Sequence, residues 1–283
     1  MTDRSEFFVS TAELADRLGA PDLAVVDGSW YLPAAKRDPE AEYAAGHIPG
    51  AVRFDIDAIA DQSTQLPHML PRPSEFAEAV GLLGISEKSE IVVYDGAGLF
   101  AAPRVWWTFR VFGAKKVRIL DGGLPKWKAE GRPLDTGRPK PPAPRRFVPG
   151  FDAARVADLE RVAATIRSKA ATIVDARPGE RFRGEAIEPR PGLLAGHMPG
   201  AKNVPSSAVI ADGRLADEAA VRAAFAAIDL ERPIVTTCGS GVTAAILWLA
   251  LETIGVPRDR LALYDGSWSE WGAAPEVPVA TGP

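Results

Sequence analysis

The sequence predicts an α/β protein made of two tandem copies of one domain, each a mainly parallel sheet flanked by helices. Three observations carry the prediction. Short apolar runs alternate with longer amphipathic segments, four ordered motifs recur about 150 residues apart, and a proline-dense stretch lies between the two sets.

In the first half, residues 11–18, 74–83 and 102–112 have helical periodicity, and 24–27, 91–94 and 117–120 are short β-branched or aliphatic runs expected as strands. In the second half the strands are expected at 172–175, 233–237 and 261–264, with helices over 217–228 and 242–254. Strands apolar on both faces and separated by helices indicate a parallel sheet covered on both sides. The repeat is explicit. Ala24-Val25-Val26-Asp27 is answered by Thr172-Ile173-Val174-Asp175, and Gly46-His47-Ile48-Pro49-Gly50-Ala51 by Gly196-His197-Met198-Pro199-Gly200-Ala201. Ile91-Val92-Val93-Tyr94-Asp95 pairs with Ile234-Val235-Thr236-Thr237-Cys238, and Leu120-Asp121-Gly122-Gly123 with Tyr264-Asp265-Gly266-Ser267. A period this long is a duplicated domain rather than a solenoid unit. Residues 136–150 carry prolines that no helix interior or central strand tolerates. The expected division is therefore a first domain over 1–137, a linker over 138–150 and a second domain over 151–283.

Composition narrows the function. The chain has 283 residues, 46% hydrophobic and 25% charged, with a formal net charge of -4. That balance gives no basic field for nucleic acid and no charge for a membrane surface. No apolar run reaches spanning length, and Met1-Thr2-Asp3-Arg4-Ser5-Glu6 is not followed by the apolar core of a signal peptide. The single cysteine, Cys238, cannot form an internal disulfide. A cytoplasmic protein is expected.

Cys238 is the most informative residue. It stands where a β-branched run meets the small-residue turn Gly239-Ser240-Gly241-Val242-Thr243 before an apolar helix. There a ring of backbone N–H groups and the positive helix end would favour a thiolate, and ligand sites of parallel sheets lie beyond the carboxyl ends of strands. The plainer alternative is a buried, inert thiol. The first half has Asp95 at the matching place, so only the second half can use thiol chemistry. Phosphatase-type loops carry an arginine six residues past the nucleophile, where this chain has Ala244. A histidine partner could come only from His47, His68 or His197. His47 and His197 occupy equivalent Gly-His-x-Pro-Gly-Ala motifs in both halves, which points to structural work. His68 has no counterpart and lies between prolines in Leu66-Pro67-His68-Met69-Leu70-Pro71, the place for a functional residue. One cysteine and three scattered histidines make no zinc site, and neither a phosphate-cradling nor a dinucleotide-binding glycine motif is present. No cofactor is expected. Asp121 and Asp265, each following a strand and preceding glycine, read as turn residues. Trp106, Trp107 and Trp248 fall in the expected helices and read as core.

These motifs together resemble the two-domain sulfurtransferases of the rhodanese superfamily, over nearly the whole chain. Within it the loop Cys238-Gly239-Ser240-Gly241-Val242-Thr243 is similar to that of the 3-mercaptopyruvate sulfurtransferases. Thiosulfate-using relatives typically place two cations where Gly239 and Ser240 stand. The resemblance implies tandem rhodanese-like domains and attack by Cys238 on the sulfur of 3-mercaptopyruvate, releasing pyruvate. A persulfide then passes its outer sulfur to a thiol, reduced thioredoxin or cyanide. It implies that the backbone of Gly239, Gly241, Val242 and Thr243 cradles the anion and that Arg181 and Arg190 clamp the carboxylate and keto oxygen, with Arg177 and Arg183 structural or at the rim. It also implies a relay of Ser240, His68 and Asp57. A monomer is expected, because two fused domains can enclose their own cleft. The alternatives are thiosulfate:cyanide sulfur transfer and a non-catalytic sulfur carrier or regulatory module.

Overall fold

The computed structural model describes residues 3–140 and 142–283; Met1 and Thr2 of the expected first domain and Pro141 of the expected linker lie outside the described residues. The first half runs β1 (Phe8–Val9), α1 (Thr11–Arg17), β2 (Leu23–Asp27), α2 (Pro39–Ala45), β3 (Val52–Arg53), α3 (Pro73–Leu82), β4 (Glu90–Tyr94), α4 (Ala102–Val111), β5 (Val117–Leu120) and α5 (Gly123–Ala129). The second runs β6 (Val156–Ala157), α6 (Leu159–Ser168), β7 (Thr172–Asp175), α7 (Gly179–Phe182), β8 (Lys202–Asn203), β9 (Ile210–Ala211), β10 (Arg214–Leu215), α8 (Glu218–Ala224), β11 (Ile234–Thr237), α9 (Ala244–Thr253), β12 (Leu261–Tyr264) and α10 (Ser267–Trp271).

The two five-stranded sheets have the same order, β1-β5-β4-β2-β3 and β6-β12-β11-β7-β8, with every neighbouring pair parallel. The duplication legible in the motifs is thus a duplication of topology. Expected strands 172–175 and 261–264 are found with those bounds. Helix starts follow from caps: Ser10, Asp158 and Asp217 accept from the N–H three residues on. Two expected helices are shorter by more than one residue. The segment 217–228 is helical only to Ala224, after which it tightens into turns that bury both Phe225 and Ile228. The helix expected from 242 begins at Ala244, since Gly241 takes φ +77° and Val242 and Thr243 belong to the loop. The edge strands β1, β3, β6 and β8 are two residues each, too short for a periodicity to register. The hairpin β9–β10 was not anticipated, although Asp212-Gly213, both at positive φ, is a hairpin signal.

One core joins the halves. Helices α4 and α9 pack against each other, with Trp107 edge-on to Trp248 at 6.1 Å. Arg110 pairs with Glu252 at 2.6 Å beside them, and Trp248 Nε1 donates to the same carboxylate at 2.6 Å. The outer face of each sheet has its own cluster, around Leu14, Leu124 and Trp127 in the first half and Val162, Trp268 and Trp271 in the second. The proline-dense stretch is laid along the first half: Phe147 is buried edge-on to Phe76 at 5.4 Å, and Arg145 N–H donates to the Gly81 carbonyl at 2.9 Å. No helix among the described residues is long and apolar enough to cross a membrane.

Candidate active site between the two halves

Because every strand of a sheet runs the same way, the loops after β4 and β11 emerge on one edge of their sheets, and the cleft forms there. In the first half the loop closes on its own side chain. Asp95 accepts from the N–H groups of Ala97, Phe100, Ala101 and Ala102 at 2.8–2.9 Å. The nest of donors that such a loop creates is filled by a carboxylate. Gly213 of the β9–β10 hairpin closes over it, so near that a Cβ on Gly98 would lie 2.5 Å from the Gly213 carbonyl oxygen. Asp95→Asn would present an NH2 group to some of those donors; a loss of about 1–2 kcal/mol in stability is expected, read as a lowered denaturation midpoint.

The equivalent loop of the second half has Cys238 where Asp95 stands. The thiol is free and buried. Among the described residues no oxygen acceptor of the protein takes the N–H of Gly239, Ser240, Gly241, Val242 or Thr243. These donors sit at the N-terminus of the ten-residue α9, where the peptide dipoles also favour negative charge. The loop is fixed from behind instead. Cys238 N–H donates to Ser267 Oγ at 3.2 Å, the Cys238 carbonyl accepts from Trp268 N–H at 3.0 Å, and the Gly239 carbonyl accepts from Ser269 Oγ at 2.7 Å. Gly241 must be glycine: its φ is positive, and a Cβ would lie 2.8 Å from Arg104 Nη1.

A cavity of about 140 Å³ opens beside Cys238, lined by Arg181 and Arg190 and, from the first half, by Trp30 and Phe100. It is well below the ~300–1,000 Å³ typical of drug-sized ligand pockets, which suits a small acid. Arg190 is half-buried. Its Nη2 donates to Ser240 Oγ at 3.3 Å, and no carboxylate among the described residues is within ion-pair reach. Burial, together with the charge of Arg181, pulls its guanidinium below the ordinary arginine range, while Cys238 and Asp57 oppose that shift. Arg181 has its Nη2 against Gly239 and is paired with Glu188 through Nη2 and through Nε at 3.2 Å. Arg177 is buried and structural: it binds Asp175 at 2.7 Å, Glu188 at 2.8 Å and the Gly196 carbonyl at 2.8 Å, and stacks over Trp268. Arg183 pairs with Glu185 on the surface.

Of the expected relay, Asp57 and His68 are together. His68 Nδ1 lies 2.8 Å from Asp57 Oδ1, Trp30 Nε1 donates to Oδ2 at 2.9 Å, and contact with His68 holds the Asp57 carboxyl below the usual carboxylate range. Among the described residues His68 Nε2 is buried without a hydrogen-bond partner, and the Ser240 hydroxyl is engaged by Arg190 rather than by His68. The His68 loop is held from both halves: Arg104 Nη2 of the first donates to the His68 carbonyl at 2.6 Å, and Leu70 N–H donates to Asp265 of the second at 2.7 Å. Asp265, expected as a turn residue, is therefore an inter-domain anchor, bound to Arg104 at 2.6 Å. His47 and His197 are structural in the same way in both halves. Each stacks on an aromatic ring, Tyr43 or Phe182, and donates from Nδ1 to that residue's carbonyl at 2.8 Å. Glu188 is the member that sequence reading missed; nothing local marks a carboxylate whose partners are assembled by tertiary packing.

Comparison with known proteins follows the same lines. The model of the rhodanese-like domain matches twice, at residues 10–130 and 158–274. The chain is 43% identical over 276 residues to the 3-mercaptopyruvate sulfurtransferase of Escherichia coli strain K12, covering 96% of this chain and 97% of that protein. It is 40% identical over 298 residues to the thiosulfate/3-mercaptopyruvate sulfurtransferase 1 of Arabidopsis thaliana mitochondria, covering 97% and 78%. An Escherichia coli crystal structure, described for the rhodanese fold and catalytic mechanism of 3-mercaptopyruvate sulfotransferases, superimposes with a TM-score of 0.84 at 40% identity, covering 93% of this chain and 98% of that one.

Proposed function

The chain belongs to the rhodanese-like family, among its 3-mercaptopyruvate sulfurtransferases, and from that premise we propose how its residues move sulfur from 3-mercaptopyruvate to an acceptor. The observation that carries the reading is the set of unoccupied backbone donors around Cys238, filled in the twin loop by Asp95. An anion of sulfur is what the second loop is built to hold.

The Cys238 thiolate attacks the sulfur of 3-mercaptopyruvate. The carbon–sulfur bond breaks, its electron pair leaves on carbon as the enolate of pyruvate, and the hydrogen carried by the transferred sulfur balances that charge as pyruvate forms. The persulfide anion remaining on Cys238 is cradled by the N–H groups of Gly239, Ser240, Gly241, Val242 and Thr243. Arg190, which has no carboxylate partner among the described residues, takes the substrate carboxylate, with Arg181 beside it. In this reading Ser240, turned from Arg190 toward the Asp57–His68 pair, handles the enolate proton. A thiol such as reduced thioredoxin, or cyanide, then attacks the outer sulfur and frees the thiolate, the ping-pong course of covalent catalysis. The cleft is completed within one chain, which supports action as a monomer.

Mixed with 3-mercaptopyruvate and no acceptor, the protein should release one equivalent of pyruvate and gain one sulfur atom on the peptide containing Cys238. Pyruvate without that gain, or no pyruvate, would overturn the persulfide route. A non-catalytic carrier would take up sulfur without a rapid burst. Thiosulfate is the nearest alternative donor, named for the Arabidopsis thaliana relative. With uncharged Gly239 and Ser240 in the loop, kcat/KM should favour 3-mercaptopyruvate. Arg190→Ala should lower kcat/KM for 3-mercaptopyruvate by about a hundredfold, the effect of losing a charged, two-point grip; unchanged kinetics would remove Arg190 from the clamp.

A further inference from the structure

Glu188 is buried between two guanidinium groups. Its Oε1 accepts from Arg177 Nη1 at 2.8 Å and Arg181 Nε at 3.2 Å, and its Oε2 from Arg181 Nη2. Arg177 is already matched, with Nε 3.0 Å and Nη2 2.7 Å from Asp175 Oδ2. Asp175, Arg177, Glu188 and Arg181 thus form a ladder in which two carboxylates cancel two guanidiniums. Among the described residues, Arg190 is then the guanidinium on this side of Cys238 that no carboxylate pairs.

A wall that offers one unpaired guanidinium, Arg190, matches a donor with one carboxylate. 3-Mercaptopyruvate carries a single carboxylate, and thiosulfate is a dianion. Without the Glu188 charge, Arg181 would stand free beside Arg190, its Nη2 already over Gly239, and the cleft would offer two positive charges at short range. In a half-buried site the added attraction for a second negative charge is large. We propose that Glu188 sets donor selectivity: by neutralising Arg181 it keeps the cleft matched to a monoanionic sulfur donor and opposes dianionic ones. The proposal rests on the sulfur-transfer reading above and adds to it a specificity-determining role for a residue that does not touch the reacting atoms.

Glu188→Gln keeps the shape and one acceptor oxygen and removes the charge. The kcat/KM ratio of thiosulfate to 3-mercaptopyruvate should rise by about tenfold or more over wild type. Inhibition by sulfate should strengthen more than inhibition by pyruvate. An equal loss for both donors with no change in inhibitor preference would reduce Glu188 to a structural brace and overturn the proposal. Glu188→Asp retains the charge and should keep the wild-type donor ratio, even with lower activity or if the glutamine variant does not fold. A shift toward thiosulfate in Glu188→Asp would also overturn it. Wild-type pyruvate release measured alongside tests the underlying sulfur-transfer reading separately, since its failure would show before any variant is compared.

Discussion

Cys238→Ser should abolish pyruvate release from 3-mercaptopyruvate, lowering turnover by about three orders of magnitude or more. A serine hydroxyl is not ionised at neutral pH, and its oxygen cannot hold transferred sulfur as a persulfide. The backbone around the position is fastened by Ser267, Trp268 and Ser269 rather than by the thiol. The substitution should therefore leave the fold in place, with stability within about 1 kcal/mol of wild type. Circular dichroism and a denaturation midpoint would check the fold, and acceptor-free pyruvate release would check the chemistry. A surviving burst would put the sulfur-carrying group elsewhere.

What the sequence made legible here, and what it hid, divides by range. Strands such as β7 and β12 are short apolar runs closed by Asp175 and Asp265, so their bounds are local facts. The pair His47 and His197 could be read as structural because the chain contains its own comparison, and both rings bind a carbonyl as that reading requires. The loop at Cys238 was legible for the same reason, since Asp95 marks what the fold does with the position when no chemistry is asked of it. The long-range partners were not legible. Asp265 looks like any aspartate in an Asp-Gly turn, and only the packed halves bring Arg104 and the His68 loop to it. Glu188 lies in a stretch of prolines and glycines with no periodicity, and its ladder is assembled from a strand end, a short helix and a loop. The edge strands failed differently: two residues cannot show a period of two.

Arg104→Met should weaken both stability and catalysis, because one buried guanidinium holds three pieces of the cleft. It binds Asp265 at 2.6 Å and the His68 carbonyl at 2.6 Å, reaches the Gly241 carbonyl at 3.4 Å, and lies over the Trp107 ring at 4.7 Å. Methionine keeps much of the packing against Trp107 but leaves the Asp265 carboxylate buried without its cation. Breaking such a pair from one side typically costs about 3–5 kcal/mol, which for a chain of this size is a fall in Tm of roughly 6–20 °C. Asp265→Asn added to Arg104→Met should recover part of the loss, since no unpaired charge then remains; the coupling between the two positions is the quantity to measure. Catalysis should follow a different course. Leu70 N–H still has an acceptor in the asparagine, yet the His68 carbonyl has lost its donor, so kcat should stay depressed in the double variant while stability returns. If kcat and Tm recovered together, the guanidinium would be acting only as a brace between domains. If neither fell in Arg104→Met, the two halves would be held by α4 and α9 alone.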